Sequence, residues 1–475
     1  MKKIIFFPFL LLSHLLTAQA DFYNYSNAGF SCMIVTPDNR LIACGRTYGG
    51  DHAELWGLEP NGDEAWHTTL PVSPSTYLSH ISRTNDGNYI VSGDASVGMG
   101  FSKPLLIKFK PTGQMLWSMM LHPPTHFKLG STFQLPDGSY LMVGVSGSYD
   151  SYVGTYNHSA FKMDSTLTNT LAYNEYPIEG DTFFTNAHLP VRAVLSADKK
   201  FVVSTTVDNA SGSIIDSDSY VYKWSAEGEQ IWKTQINNGQ YDDVEACTIL
   251  SDSTIVITGI YNESTWPNYH ELFLSKLNWD GDIIWQRFID STGLGDPPKG
   301  VEVTELDGGD LLITAIRYNT PFNILLIITD SVGTEKHRLF LERPDHEDFV
   351  SSTVLMAENR VAIGGSQDQF WDHKNLLVLF PLSIISGTRD ISVDPPGFQV
   401  FPNPFHSSVS LDLDAQKFPD AAALRLSIFN SDGIRLYNGS FIQNPDLKNY
   451  PPGVYYLMLT DKTCAKSFVR RVIKQ

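Results

Sequence analysis

The chain has 475 residues, of which 42% are hydrophobic and 18% charged, and its formal net charge is −18. That length suits two or three domains or one large repeat fold, with a core that needs no disulfides to hold it. An acidic surface repels phosphate backbones, which argues against nucleic acid and leaves cationic partners, divalent ions or plain solubility. The charge is uneven. Residues 398–475 carry 9 Lys/Arg against 6 Asp/Glu, so the acidity lies in the middle of the chain.

Met1–Ala20 reads as a secretory signal. Lys2 and Lys3 form a basic start, Ile4–Leu16 a short apolar stretch, and Ala18-Gln19-Ala20 a small-x-small cleavage site. No Cys follows the cut, which gives no support to a lipoprotein anchor. No later stretch reaches spanning length without charges, so no transmembrane segment is expected.

From there to about residue 382 one unit recurs. A turn followed by an apolar strand appears at Asp38–Gly45, Asp86–Gly93, Asp137–Gly144, Asp198–Thr205, Asp252–Gly259, Gly308–Ala315 and Glu358–Gly365. Asp and Gly favour the turn, and the run after it is mostly β-branched or aliphatic, as a buried strand requires. Five copies close on Gly, which lets backbones approach near a crowded axis. A second hairpin recurs as Gly-x-x-x-Trp at Gly62…Trp66, Gly113…Trp117, Gly228…Trp232 and Gly281…Trp285. It is degenerate at Leu167…Leu171 and Gly333…His337. Each Trp is expected to wedge between neighbouring sheets. Lys108, Lys162, Lys223 and Lys276 share one position on the preceding strand.

Repeats of this period, with four strands each and no helical pattern, predict an all-β fold: a seven-bladed β-propeller over residues 21–382. An eight-bladed ring and a sandwich array are the alternatives. The seventh copy lacks its last strand, and Phe22–Tyr25 supplies a spare one, so the N-terminus is expected to close the ring and remove two sheet edges. With the first turn centred on Asp38, Cys32 and Cys44 are expected to face each other across the hairpin. A disulfide and two buried free thiols are both compatible with that placement. Cys247 and Cys464 have no evident partner, and the Cys spacings match no zinc site.

Residues 383–397 are rich in Ser, Gly, Asp and Pro and read as a linker. Residues 398–475 then read as a small immunoglobulin-like antiparallel β-sandwich, with strands near Gln399–Phe401, Val409–Leu413, Leu424–Phe429, Ile434–Tyr437, Gly453–Leu459 and Ser467–Ile473. Four blocks here resemble the type A C-terminal sorting domain of the type IX secretion system of Bacteroidetes. They are Val400-Phe401-Pro402-Asn403-Pro404-Phe405, Ile428–Gly433, Leu447…Pro452-Gly453-Val454-Tyr455, and Lys466-Ser467-Phe468-Val469. The residues that carry the resemblance are Pro402, Asn403, Pro404, Gly433, Gly453, Tyr455 and Lys466. Arg470 and Arg471 stand where members often have a lysine. The resemblance implies transport through the type IX machinery, removal of the tail by a sortase-like peptidase, and attachment to the cell surface or release. More loosely, the repeats resemble quinoprotein-like blades, which implies a fold and no activity.

Catalytic motifs are missing from the sequence: no His-Glu-x-x-His, no Gly-x-Ser-x-Gly, no phosphate loop and no Cys-x-x-Cys. No quinone cage is evident. Sialidase-type aspartate boxes fail as well, because the Gly-to-Trp spacing is one residue too long. Aromatic and acidic residues in the variable loops are the binding candidates, since loops on a rigid scaffold concentrate such residues. They include Trp266, Tyr269, Trp371 and Asp372, with His346 in Asp345–Asp348 and a further acidic group at Tyr241–Asp243. The plain alternative for each is a solvated turn residue or a ring-packing aromatic. Asp208–Ser219 offers oxygen ligands for calcium but lacks the alternation and glycine of an EF-hand loop, and no other cofactor is expected. The expected function is an exported binding or adhesion propeller with a glycan or protein ligand, at the outer-membrane surface or secreted. A polysaccharide-active hydrolase or lyase and a structural surface-layer component are the alternatives.

Overall fold

Each of the seven turn-plus-strand copies forms the second strand of a four-stranded antiparallel sheet. The computed structural model describes residues 20–25, 28–47, 52–72, 76–98, 101–123, 126–147, 156–177, 192–208, 218–237, 241–262, 270–289, 298–317, 323–341, 347–369, 372–382, 385, 398–402, 405–413, 424–430, 435–461 and 467–474. They fall into two compact units, one of them Ala20–Ile385 and the other taking in Ser386–Gln475. No described helix is long and apolar enough to cross a membrane.

In the first unit, blade 1 runs outward as Ala28–Val35, Leu41–Thr47, Ala53–Leu58 and Glu64–Thr69, and blades 2 to 6 repeat that order. The innermost strands of blades 2 to 7 are Thr76–Arg83, His126–Gln134, Ala193–Leu195, Tyr241–Ile249, Pro298–Glu305 and Glu347–Met356. Blade 7 has only three consecutive strands. Its fourth is Asp21–Tyr23, which pairs with Asp372–Pro381 through Phe22 opposite Val378. The expected closure by the N-terminus is therefore present.

The core is distributed between blades. Seven apolar clusters each draw on two consecutive blades, and one of them joins blade 7 to blade 1. Middle strands are covered by a neighbour on both faces, so Ala53–Leu58 and Asn323–Thr329 are buried at every position. Outermost strands such as Met115–Met120 alternate between half-buried and exposed, because their second face meets water. Ile385 is fully buried in the cluster between blades 6 and 7.

The recurrent Trp residues hold this packing. The Trp66 indole donates to Pro111 O at 3.0 Å, and a Cβ on Gly113 would meet its ring at 2.4 Å. Trp232 of blade 4 donates to Trp279 O of blade 5 at 3.1 Å, and Trp285 of blade 5 covers Gly333 of blade 6. Each ring thus lies on the turn of the next blade, at a Gly with positive φ. Where blade 7 meets blade 1, Tyr23 lies against Gly62 in the same way. The recurrent lysines tie their own blade's turn: Lys108 to Asp86 at 2.7 Å and Lys276 to Asp252 at 3.1 Å. Lys223 differs, lying 3.8 Å over the Trp279 ring of the next blade.

In the second unit, Arg435–Ser440, Leu424–Asn430, Gly453–Asp461 and Ser467–Lys474 form a four-stranded sheet in that order, and Phe398–Phe401 pairs with Ser410–Leu413. One apolar cluster, which includes Phe405, Leu411, Ile428 and Tyr455, draws on both sheets.

Candidate binding site in the propeller channel

The innermost strands line the axis, and six of the seven carry a β-bulge at the same place. The extra residue is Ser31, Ser79, Gly130, Glu245, Val301 or Ser351. A bulge pushes the preceding carbonyl toward the second strand, and the recurrent closing Gly receives it. A Cβ on Gly93 would lie 1.9 Å from Tyr77 O, and one on Gly259 would lie 1.9 Å from Asp243 O. Blade 4 closes on Thr205 instead. Its register, Ala193 opposite Ser204, puts Arg192 at the bulge position, where Arg192 O accepts from Thr205 N at 2.9 Å. Bulges re-aim side chains and are frequent beside functional sites.

Arg192 uses that position to cross the ring. Its Nη2 donates to Ser351 O of blade 7 at 2.9 Å. The Cys247 thiol of blade 5 contacts Arg192 O at 3.9 Å. Arg192 lines a cavity of about 440 Å³ to which all seven innermost strands contribute, with His80, Ser131, Glu302 and Ser352 among its polar walls. Burial pushes the Glu302 carboxyl up to about 7, against the pull of Arg192. Burial is the largest influence on Arg192 and opposes its charge, yet the fields of Glu302, Cys32, Tyr77 and Glu245 together outweigh it, so the guanidinium lies above its ordinary value. Burial holds the His80 imidazole down at about 3, so it is neutral near pH 7. Its Nδ1 accepts from Thr132 N at 3.4 Å. Glu245 and Asp243 face Lys299, the second at 3.7 Å.

Cys32 and Cys44 sit directly opposite in the register of blade 1, as the hairpin predicts, and both are free thiols. Burial raises both, and Cys247 is pushed up to about 12, so none is a thiolate near neutral pH.

Most of the loop candidates lie outside the described residues: Trp266, Tyr269, Trp371 and His346. Asp372 opens the third strand of blade 7, and its side chain also lies outside the description. The loop reading of Tyr241–Asp243 is corrected. These residues begin the innermost strand of blade 5, and Asp242 is fully buried. Glu347 and Asp348 likewise open the innermost strand of blade 7, with Asp348 fully buried. Polar residues at the start of a strand read as loop by composition, but the blade-to-blade contact buries them. Among the described residues no cluster of three or more His, Cys, Asp or Glu is placed to hold a metal. Arg192, Glu302 and His80 escaped the sequence reading. Their only signal is a charged or titratable residue on an innermost strand, and the bulge register that aligns those strands is not visible in the sequence.

In the tail, Gly453 opens a strand, and the buried Tyr455 donates its hydroxyl to Pro451 O and packs against Phe405 at 6.4 Å. Pro402 follows the first strand directly. Asn403, Pro404, Gly433 and Lys466 lie outside the described residues. Lys474 was not singled out by sequence. Its buried ammonium donates to the carbonyls of Leu447, Lys448 and Tyr450, which fixes the end of the last strand onto the turn before Gly453.

The molecule is a seven-bladed β-propeller followed by a small β-sandwich. Residues 399–475 match the family described as the secretion system C-terminal sorting domain, so the sandwich is a type IX sorting domain. Such a tail implies export to the cell surface or the medium. No curated protein matches the chain. Among solved structures, the chain is similar to the extracellular domain of a putative hybrid two-component system from B. thetaiotaomicron. The two are 10% identical with a TM-score of 0.45, over 94% of this chain and 57% of that one. It is similar to an alpha-L-arabinofuranosidase from Fusarium graminearum at 13% identity and TM-score 0.44, over 64% of this chain and 93% of that one. An alpha-L-arabinanase from Penicillium chrysogenum gives 11% identity and TM-score 0.44, over 64% and 93%.

Proposed function

We propose that the protein is an exported recognition propeller. The sorting domain carries it across the outer membrane, is removed by a sortase-like peptidase, and leaves the propeller at the surface or in the medium to bind a glycan or protein ligand. The observation that carries this reading is a closed seven-bladed ring in the same chain as a type IX sorting domain. A closed ring is a rigid scaffold of the kind that carries contact residues, and Trp266, Tyr269, Trp371, Asp372 and His346 are the contact residues that the sequence offers for it. The mature propeller spans residues 21–382 with Ile385 packed into its core, the sorting domain spans 398–475, and the residues between Ile385 and 398 link them.

The export half of the proposal is tested by removing residues 398–475 and following the chain by fractionation. Retention of the truncated chain in the periplasm supports it. Arrival of the truncated chain outside the cell sinks it.

A further inference from the structure

We propose that the channel cavity binds a small organic carboxylate, anchored by the Arg192 guanidinium and hydrogen-bonded by Glu302. The inference deepens the recognition reading above and rests on it.

The argument starts from unspent donors. A guanidinium carries five N–H groups in a fixed fork suited to a carboxylate. Among the described residues, one hydrogen bond of the Arg192 side chain is present, to Ser351 O. Arg192 itself lines the cavity.

Charge points the same way. Arg192 is half-buried in the channel, and a cation partly withdrawn from water favours an anion beside it. Glu245 and Asp243, the acids on the adjoining innermost strand of blade 5, are engaged with Lys299. Glu302 shares the cavity with Arg192 but makes no ion pair with it among the described residues. A bound carboxylate would add the direct, hydrogen-bonded partner that the more distant field of Glu302 does not provide. Burial raises the Glu302 carboxyl to about 7, so near and below neutral pH its protonated form is populated and donates an O–H instead of repelling the ligand.

Size and lining set the ligand class. About 440 Å³ lies within the range of small-molecule pockets. Ser131, Thr304 and Ser352 line the same space, and this polar lining suits a hydroxylated acid better than a fatty one. Two sources share this chemistry, a sugar acid and a free hydroxy acid.

The test is calorimetric titration of the mature protein with glucuronate and galacturonate, with glucose and galactose, and with citrate and lactate. Arg192→Lys and Arg192→Met are compared with wild type. The expected result is binding of acids, with the neutral sugars weaker by about tenfold or more. Arg192→Lys should weaken the acids by about tenfold, because an ammonium cannot form the fork, and Arg192→Met should abolish binding. Binding of uronates alone assigns a sugar acid; binding of citrate or lactate as well assigns a general hydroxy-acid site. Should Arg192→Met fail to fold, Arg192→Lys still decides. No acid binding to wild type, or acid binding that both substitutions leave unchanged, overturns the channel site. A glycan that binds equally to wild type and Arg192→Lys would at the same time leave the recognition reading standing.

Discussion

Arg192 in blade 4 and Ser351 in blade 7 are joined by a hydrogen bond of 2.9 Å from Nη2 to the main-chain carbonyl. They lie 159 residues apart in sequence, and the bond runs across the ring between blades that share no core cluster. Ser351 is also a bulge residue, and its hydroxyl contacts Phe30 O of blade 1. Arg192→Ala should lower stability by about 1 kcal/mol, because it leaves a half-buried carbonyl without this donor and removes a tie between distant blades. Chemical denaturation of the mature protein measures this.

Ring closure rests on a three-residue strand. Deleting residues 21–25 should expose an edge of Asp372–Pro381, uncover Gly62 and lower the melting temperature, with aggregation on heating. Calorimetry and light scattering read both effects. An unchanged melt would mean that the blade 7 to blade 1 core holds the ring by itself.

The closing glycines and the turn glycines predict different costs. Gly93→Ala sets a Cβ 1.9 Å from Tyr77 O, so the bulge must shift, at a cost of about 3 kcal/mol or more. Gly309→Ala meets nothing within 4 Å, and only its φ of +86° is unfavourable. About 1 kcal/mol is expected there. Equal losses at the two sites would contradict the bulge explanation.

Glu302 predicts a pH dependence of definite sign. Its folded carboxyl sits at about 7 against an ordinary 4.5, so between those values the folded state holds a proton that the unfolded state has lost. Stability therefore falls as pH rises through this window, and the penalty is complete above pH 7. Buried Asp94, also raised to about 7, acts in the same direction. His80 and His158, held at about 3, act oppositely below about pH 6.5. Glu302→Gln removes one contribution, so its stability relative to wild type should grow from pH 4.5 to pH 7, by on the order of 2–3 kcal/mol. Urea melts across that range measure the difference.

Much of the ring was legible in the sequence. The Asp-Gly turns, the aliphatic second strands and the Gly-x-x-x-Trp hairpins are local signals, and local signals fix blade count. The spare strand at Phe22–Tyr25 was legible because the seventh repeat lacked one. The channel was not. Innermost strands mix Ser, Cys, His, Arg and Glu, and each meets neighbours from distant repeats. Arg192 gains its meaning only from Ser351 and Glu302, which lie far away in sequence. The acids at Tyr241–Asp243 misled for a related reason, since burial against the next blade is a tertiary fact. In the tail, the Tyr455 block was legible as a motif, whereas Lys474 was not, because its three carbonyl partners belong to a turn 24 to 27 residues earlier.

Lys474 bears on export. Lys474→Met should leave three carbonyls without their donor and loosen the last strand of the sorting domain, by about 1–3 kcal/mol. The prediction is reduced release of the chain, with normal synthesis and periplasmic arrival, measured by fractionation.

The central claim, recognition without chemistry, is tested most directly by one measurement. The mature protein is screened on a glycan array, and every hit is incubated with the protein and analysed for products by mass spectrometry. The account predicts a glycan that is retained and recovered intact. Cleavage or elimination products from a hit would contradict it and make the propeller a polysaccharide-active enzyme.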